Sequence, residues 1–111
     1  MKTKRNFRKA GTMRFIINNL IYDTEEMEKM AEGQKWRKVS NIWTQAMFPG
    51  KEVGRGMPHT LWRSESGRWL FTWKNDYSNF GEAIEESEAK EFLKRNNYMK
   101  YAELFGELPK A

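Results

Sequence analysis

The chain has 111 residues, a net charge of +5 and a mean hydropathy of −0.90, and 32% of its residues are charged. The length suits one domain, and the aromatic content of 14% argues against intrinsic disorder, because disordered segments lack Trp, Phe and Tyr. The absence of cysteine excludes disulfide frameworks, thiolate metal sites and thiol catalysis. No apolar run approaches the roughly 20 residues of a membrane span, and no secretory signal is apparent, so we expect a cytoplasmic protein without a membrane partner.

The first twelve residues are strongly basic. Their cations are not opposed by any acidic residue before Asp23, and Phe7 is the only aromatic residue among them. This composition predicts a flexible basic arm over residues 1–12, followed by a single α+β domain over residues 13–111.

The segment Arg14–Asp23 predicts a β-hairpin. Asn18 and Asn19 lie between two β-rich runs, and Asn tolerates the positive φ of a two-residue primed turn, so Ile17 should pair with Leu20. From Asp23 to Gly33, capping-box spacing and apolar residues on one helical face predict a short helix.

The middle of the chain is ambiguous. Residues 36–48 fit a helical stripe, with a strand over residues 38–44 as the competing interpretation. The Pro and Gly residues between Pro49 and Pro58 then predict a mobile loop.

A second hairpin is predicted from Thr60 to Trp73, with its turn at residues 64–67. In the return strand, Trp69, Phe71 and Trp73 share one face, which is either the buried side of a sheet or a platform for stacking bases. Residues 76–81 are predicted to form a loop.

Residues 85–105 predict two consecutive amphipathic helices, the second ending at Gly106. The order of elements therefore predicts an α+β fold, in which a small antiparallel sheet formed by two β-hairpins packs with three or four short helices.

Catalytic groups are scarce. His59 is the only histidine, and Ser64 and Ser66 lie in a predicted turn without a diagnostic base. No spacing of His, Asp and Glu suggests a metal site, and the glycines match no nucleotide-binding pattern. We expect a non-enzymatic protein without a metal or cofactor.

The charge distribution instead suggests binding. Residues 1–74 contain 15 Lys and Arg against 7 Asp and Glu, whereas residues 75–111 contain 5 against 8. Such a basic region attracts either nucleic acid or an acidic protein. The candidate binding residues are Lys2, Lys4, Arg5, Arg8, Lys9, Arg37, Lys38, Lys51, Arg55, Arg63, Arg68 and Lys74.

The segment Leu61–Leu70 resembles a recurring pattern of Leu, aromatic, Arg, Ser or Thr, two variable residues, Gly, a variable residue and an aromatic. The pattern is found in short uncharacterised accessory proteins of phages and integrative elements of Gram-positive bacteria. A hairpin like residues 15–24 and a late helix like residues 88–93 accompany it, so the likeness covers most of the chain from Met13 onward. The basic arm has no counterpart in the pattern.

This resemblance implies an accessory protein of a mobile element that acts in the bacterial host cell. Small proteins of such elements often disable host defences, including CRISPR nucleases, by occupying a binding surface. The resemblance thus implies a non-enzymatic inhibitor that binds a host protein or nucleoprotein complex, such as a CRISPR effector. The alternative is a nucleic-acid-binding accessory protein that uses the basic arm and the aromatic hairpin. Mimicry of DNA by an acidic surface does not fit a basic chain.

Deletion of residues 1–12 should leave the fold intact, because the arm precedes the first regular pattern. If about four of its cations contact duplex DNA, their loss should make the plot of log binding constant against log salt shallower by about 3.6 units. Titration of duplex DNA with the full-length and truncated chains across a salt series measures this. Identical slopes would contradict a nucleic-acid role for the arm.

Overall fold

The computed structural model describes residues 12–39, 53–75 and 77–111. These residues form six strands, a 3-10 turn at Thr24–Glu26 and two α-helices. The strands are Arg14–Ile17 (β1), Leu20–Asp23 (β2), Glu28–Val39 (β3), Val53–Arg63 (β4), Trp69–Lys74 (β5) and Asn79–Ile84 (β6). The helices are Glu86–Asn96 (α1) and Tyr98–Phe105 (α2).

The first hairpin has the predicted register. Asn18 and Asn19 both adopt positive φ, at 52° and 63°, and Ile17 pairs with Leu20 across the turn. Strands β1 and β2 form a two-stranded sheet of their own rather than joining the larger sheet. The local turn chemistry was therefore sufficient to predict the hairpin but not its place in the fold.

The main sheet contains four antiparallel strands in the order β3-β4-β5-β6. The predicted turn between β4 and β5 is present: Gly67 has a φ of 89°, and the backbone N–H of Ser64 donates to the carbonyl of Arg68 at 2.8 Å. The Ser64 hydroxyl also accepts from the Arg68 N–H, so this serine is part of the turn.

The predicted helix from Asp23 to Gly33 is wrong, because only the 3-10 turn precedes strand β3. The register between β3 and β4 shifts between Lys29 and Ala31, and the neighbours Met30 and Ala31 are both buried. This bulge interrupts the alternation of a strand and produces the spacing of a helical stripe. Strand β3 also replaces the favoured helix over residues 36–39, whereas residues 40–48 lie outside the described residues.

Two predicted loops are strands over part of their length. Residues 53–58 belong to β4, and residues 79–81 begin β6; residues 49–52 and 76 lie outside the described residues. The Gly and Pro residues that suggested loops occupy positions where a strand tolerates them. Pro58 lies where β4 has no pairing with β5, and Gly81 lies beneath the ring of Phe15.

One face of the main sheet is covered by α1 and α2. Trp69 and Phe71 are buried on this face with Phe92, and the rings of Phe71 and Phe92 are 4.8 Å apart in an edge-on arrangement. The side-chain amide of Asn97, between the helices, donates to the carbonyl of Met30 at 2.8 Å and anchors this corner to β3. The aromatic face of β5 is therefore core over Trp69 and Phe71, not a stacking platform.

The other face of β5 is also buried, at Leu70 and Thr72. The β1–β2 hairpin contacts this side, where the Phe15 ring lies so close to Gly81 that a Cβ there would collide with it. The general α+β class is confirmed, but the described residues contain two sheets and two α-helices rather than one sheet and three or four helices.

We expect Trp69→Ala to lower the free energy of unfolding by roughly 3–5 kcal/mol, because the indole is only 3% exposed within the core. Urea denaturation followed by circular dichroism measures this change. Tyr77→Ala is the control, since Tyr77 is 92% exposed and its loss should change stability by less than about 0.5 kcal/mol. Equal effects of the two substitutions would contradict this assignment of the core.

Candidate binding ribbon

The β3–β4 ladder is much longer than its neighbour. Eleven residue pairs join β3 to β4, from Glu28↔Arg63 to Val39↔Val53, whereas the β4–β5 ladder contains only Thr60–Arg63 of β4. Pro58 has no N–H to donate to β5, which explains why the shorter ladder cannot continue past it. Among the described residues, 34–39 and 53–58 thus form a two-stranded segment, here named the β3–β4 ribbon.

The sequence of the ribbon is basic. Residues 34–39 and 53–58 contain Lys35, Arg37, Lys38 and Arg55 and no acidic residue. Two of these cations are paired with acids outside the ribbon: Lys35 with Glu88 of α1 at 3.3 Å, and Arg37 with Glu82 of β6. Arg55 is exposed and has no ion-pair partner among the described residues, although it lies directly opposite Arg37 in the register.

Arg37 is held at the base of the ribbon by three contacts. Its guanidinium lies 3.8 Å from the ring centre of Trp73 and donates to Glu82 at 2.7 Å and to Nε2 of His59 at 2.9 Å. A partly buried guanidinium that stacks on an aromatic ring and donates hydrogen bonds to two acceptors is fixed in orientation. Arg37 is therefore part of the structure that supports the ribbon, rather than a free cation for a partner.

His59 is only 1% exposed and lies in β4. Because Nε2 accepts from Arg37, the ring proton lies on Nδ1, which donates to the Met57 carbonyl at 2.9 Å. Burial lowers the pKa of His59 below its ordinary 6.5, and the charges of Arg37 and Lys35 lower it further, against the opposing effect of the Met57 carbonyl. The imidazole is thus a neutral structural group, stacked on Trp73 at 4.7 Å.

The opposite face of the ribbon presents Trp36. Its indole lies across Gly54, where a Cβ would overlap the ring, while 54% of the residue remains exposed. Gly54 is needed here because it has no side chain and so lets the indole approach the backbone closely. It is not needed for an unusual backbone conformation, since its φ is not positive. The ring is thus held flat against one strand, and much of its surface is open to solvent.

The far end of the sheet has the opposite electrostatic character. A cavity of about 400 Å³ lies between the 3-10 turn and the β4–β5 turn, and its charged lining residues are all acidic: Asp23, Glu26 and Glu65. Arg63 lines an adjoining cavity together with Glu25 and Glu28, and its guanidinium lies 5.4 Å from the ring centre of Trp69. Acidic groups therefore surround the candidate binding residue Arg63.

The candidate binding residues are not one surface. Arg37 and Arg55 are cross-strand partners in the ribbon, whereas Arg63 and Arg68 lie at the opposite end of the sheet. Lys74 ends β5, and continuing the β4–β5 register by two residues places it opposite Pro58, near the ribbon. Lys2, Lys4, Arg5, Arg8, Lys9 and Lys51 lie outside the described residues, as does the side chain of Lys38.

Trp36 and Glu82 were not among the site residues predicted from the sequence. The signal for Trp36 was the Gly54-Arg55-Gly56 spacing, since glycines two residues apart leave one face of a strand flat for a bulky cross-strand neighbour. This glycine spacing becomes informative only once residues 53–58 are known to form a strand. Glu82 carried no such signal, because its pairing with Arg37 depends on the fold.

No protein-family model, curated protein or solved structure matches the chain. Within residues 12–39, 53–75 and 77–111, no three His, Asp or Glu side chains are grouped so as to hold a metal ion. None of the helices in the described part of the chain is long and apolar enough to span a bilayer.

The lowered pKa of His59 predicts a loss of stability in mild acid. A group that stays neutral in the folded protein binds its proton more readily when unfolded, so the free energy of unfolding falls as the pH drops below 6.5. One proton gives a slope of at most about 1.4 kcal/mol per pH unit. Urea denaturation between pH 8 and pH 5 measures the slope.

His59→Gln is the control, since His59 is the only histidine in the chain. The variant should show a shallower dependence on pH between 6.5 and 5, above the range in which carboxylates gain protons. The same slope in both proteins would show that His59 is not the titrating group.

Proposed function

We propose that this protein is a non-enzymatic accessory protein of a mobile genetic element that binds and inhibits a host defence complex, such as a CRISPR effector. The observation that carries the proposal is the β3–β4 ribbon, which extends past the β4–β5 ladder and has a basic sequence and an exposed Trp36. The resemblance of Leu61–Leu70 to accessory proteins of phages and integrative elements supports the role in defence.

The ribbon contains residue types that are common in the binding surfaces of proteins. Aromatic and Arg side chains are enriched among the residues that contribute most to the binding energy of protein interfaces, and Trp36 and Arg55 supply both types. Arg37, His59 and Trp73 fix the base of the ribbon, which reduces the entropy lost on binding. The basic charge favours an acidic protein surface or the nucleic acid of a nucleoprotein complex.

The test is a plasmid-interference assay in bacteria that express a panel of CRISPR effectors together with the protein. The wild-type chain should block at least one effector and co-purify with it. Arg55→Glu should weaken binding to that effector by roughly tenfold or more, because it replaces a favourable charge contact by a repulsive one.

Arg68→Glu is the matched control, because Arg68 is an equally charged, exposed residue at the opposite end of the sheet. It should inhibit as well as the wild-type chain. Failure to inhibit any effector in the panel would overturn the proposed function, and equal effects of the two reversals would overturn the assignment of the ribbon as the contact surface.

A further inference from the structure

We infer that the Trp36 face of the β3–β4 ribbon is a binding site for single-stranded nucleic acid, in which an unpaired base stacks on the indole and Lys74 contacts the phosphates. The inference rests on the proposed function in one respect, since it names the component of a nucleoprotein complex that the ribbon would contact. It does not require that the complex be a CRISPR effector.

The geometry of Trp36 is the first support. An indole that lies flat on a strand and is 54% exposed offers a π-face that any base can cover. Of the four other tryptophans, Trp69 is buried and Trp62 and Trp73 are partly buried. The fourth, Trp43, lies outside the described residues. Trp36 is therefore the most exposed indole in the described part of the chain.

A cation on the same face is the second support. Lys74 is exposed, and alternation along β5 places it on the opposite face from Trp73, which is the face that carries Trp36. Lys74 has no ion-pair partner among the described residues, so its charge is available to phosphates. Arg55 lies directly opposite Arg37 in the register and therefore extends from the other face of the ribbon. Stacking together with a positive surface is the usual composition of sites for single strands.

The exposed indole favours single-stranded over duplex nucleic acid as the ligand. A base inside a duplex is already stacked on both sides, so it can cover Trp36 only if it is first unstacked. A single strand offers its bases without that cost, and stacking tolerates every base. The ligand is thus an unpaired segment of DNA or RNA with little dependence on sequence.

The experiment titrates a fluorescein-labelled 15-mer of dT with the full chain and follows fluorescence anisotropy at 50 mM salt. Trp36→Ala should weaken binding by roughly 5- to 150-fold, the range expected for loss of one base–aromatic stack. A 15-mer of rU should bind similarly, and a duplex of the same length should depend less on Trp36.

Two glycine variants form a matched pair. Gly54→Ala should weaken binding in the same direction as Trp36→Ala, because the new Cβ would overlap both the indole and the backbone carbonyl oxygen of Arg37, so that the ring and the strand beneath it must shift. Gly56→Ala should bind as the wild-type chain does, because the nearest atom to its Cβ would be Oε1 of Gln34, at an ordinary 3.4 Å. Thermal melts of both variants establish that the fold is intact.

Two further readouts separate stacking from charge. Binding of the oligonucleotide should quench tryptophan emission, and Trp36→Phe should keep most of the affinity while losing most of the quenching. Lys74→Ala should make the log–log salt dependence shallower by about 0.7 units for a single strand, whereas Arg55→Ala, on the other face, should change it less.

Wild-type affinity for dT in both Trp36→Ala and Gly54→Ala would overturn the inference. If the same variants nevertheless lost binding to a defence complex, the face would be a protein contact, and the proposed function would survive without the inference. If dT binding needed Trp36 but no defence complex were inhibited, the inference would stand and the proposed function would fail.

Discussion

The arrangement of the molecule depends on the difference in length between two neighbouring β-ladders. Strand β4 pairs with β3 along eleven positions but with β5 only from Thr60 to Arg63. The longer ladder is supported at one end by the core and continues as a two-stranded ribbon at the other. Because Pro58 cannot donate a backbone hydrogen bond to β5, the sequence itself limits the shorter ladder.

The junction between core and ribbon combines ring stacking with charged hydrogen bonds. Helices α1 and α2 cover Trp69 and Phe71, but the next residue on that face of β5, Trp73, is covered instead by the ring of His59 and the guanidinium of Arg37. Glu82 neutralises Arg37 in turn, which reduces its repulsion of Arg55 across the ladder. A polar and aromatic stack thus continues the core beyond the helices and fixes the direction of the ribbon.

The elements that the sequence predicted correctly are those with local causes. Asn18 and Asn19 determine the first hairpin, Gly67 the turn between β4 and β5, and the apolar stripes and Gly106 the two helices. The failures have non-local causes. The bulge in β3 imitates a helical stripe, and the Gly residues of β4 and β6 suggest loops until the rings of Trp36 and Phe15 are placed over Gly54 and Gly81.

The candidate site was predictable only in part, for the same reason. Clustering of cations in the sequence identified Arg37 and Arg55, but it also identified Arg63 and Arg68, which the fold places at the other end of the sheet. The sequence could not reveal that Arg37 is held by three partners while Arg55 is exposed. Nor could it reveal that Trp36 is exposed, because a helical stripe grouped Trp36 with Val39 until residues 28–39 were known to form a strand.

The central claim, that the long ladder ends in a two-stranded ribbon, is tested most directly by amide hydrogen exchange measured by NMR. The amides of residues 60–63 have a strand on both sides and should all be protected. In residues 53–57, protection should alternate, because only every second N–H points toward β3 and the others face solvent. Exchange of all these amides at the rate of an unstructured chain, or protection of all of them, would contradict the account.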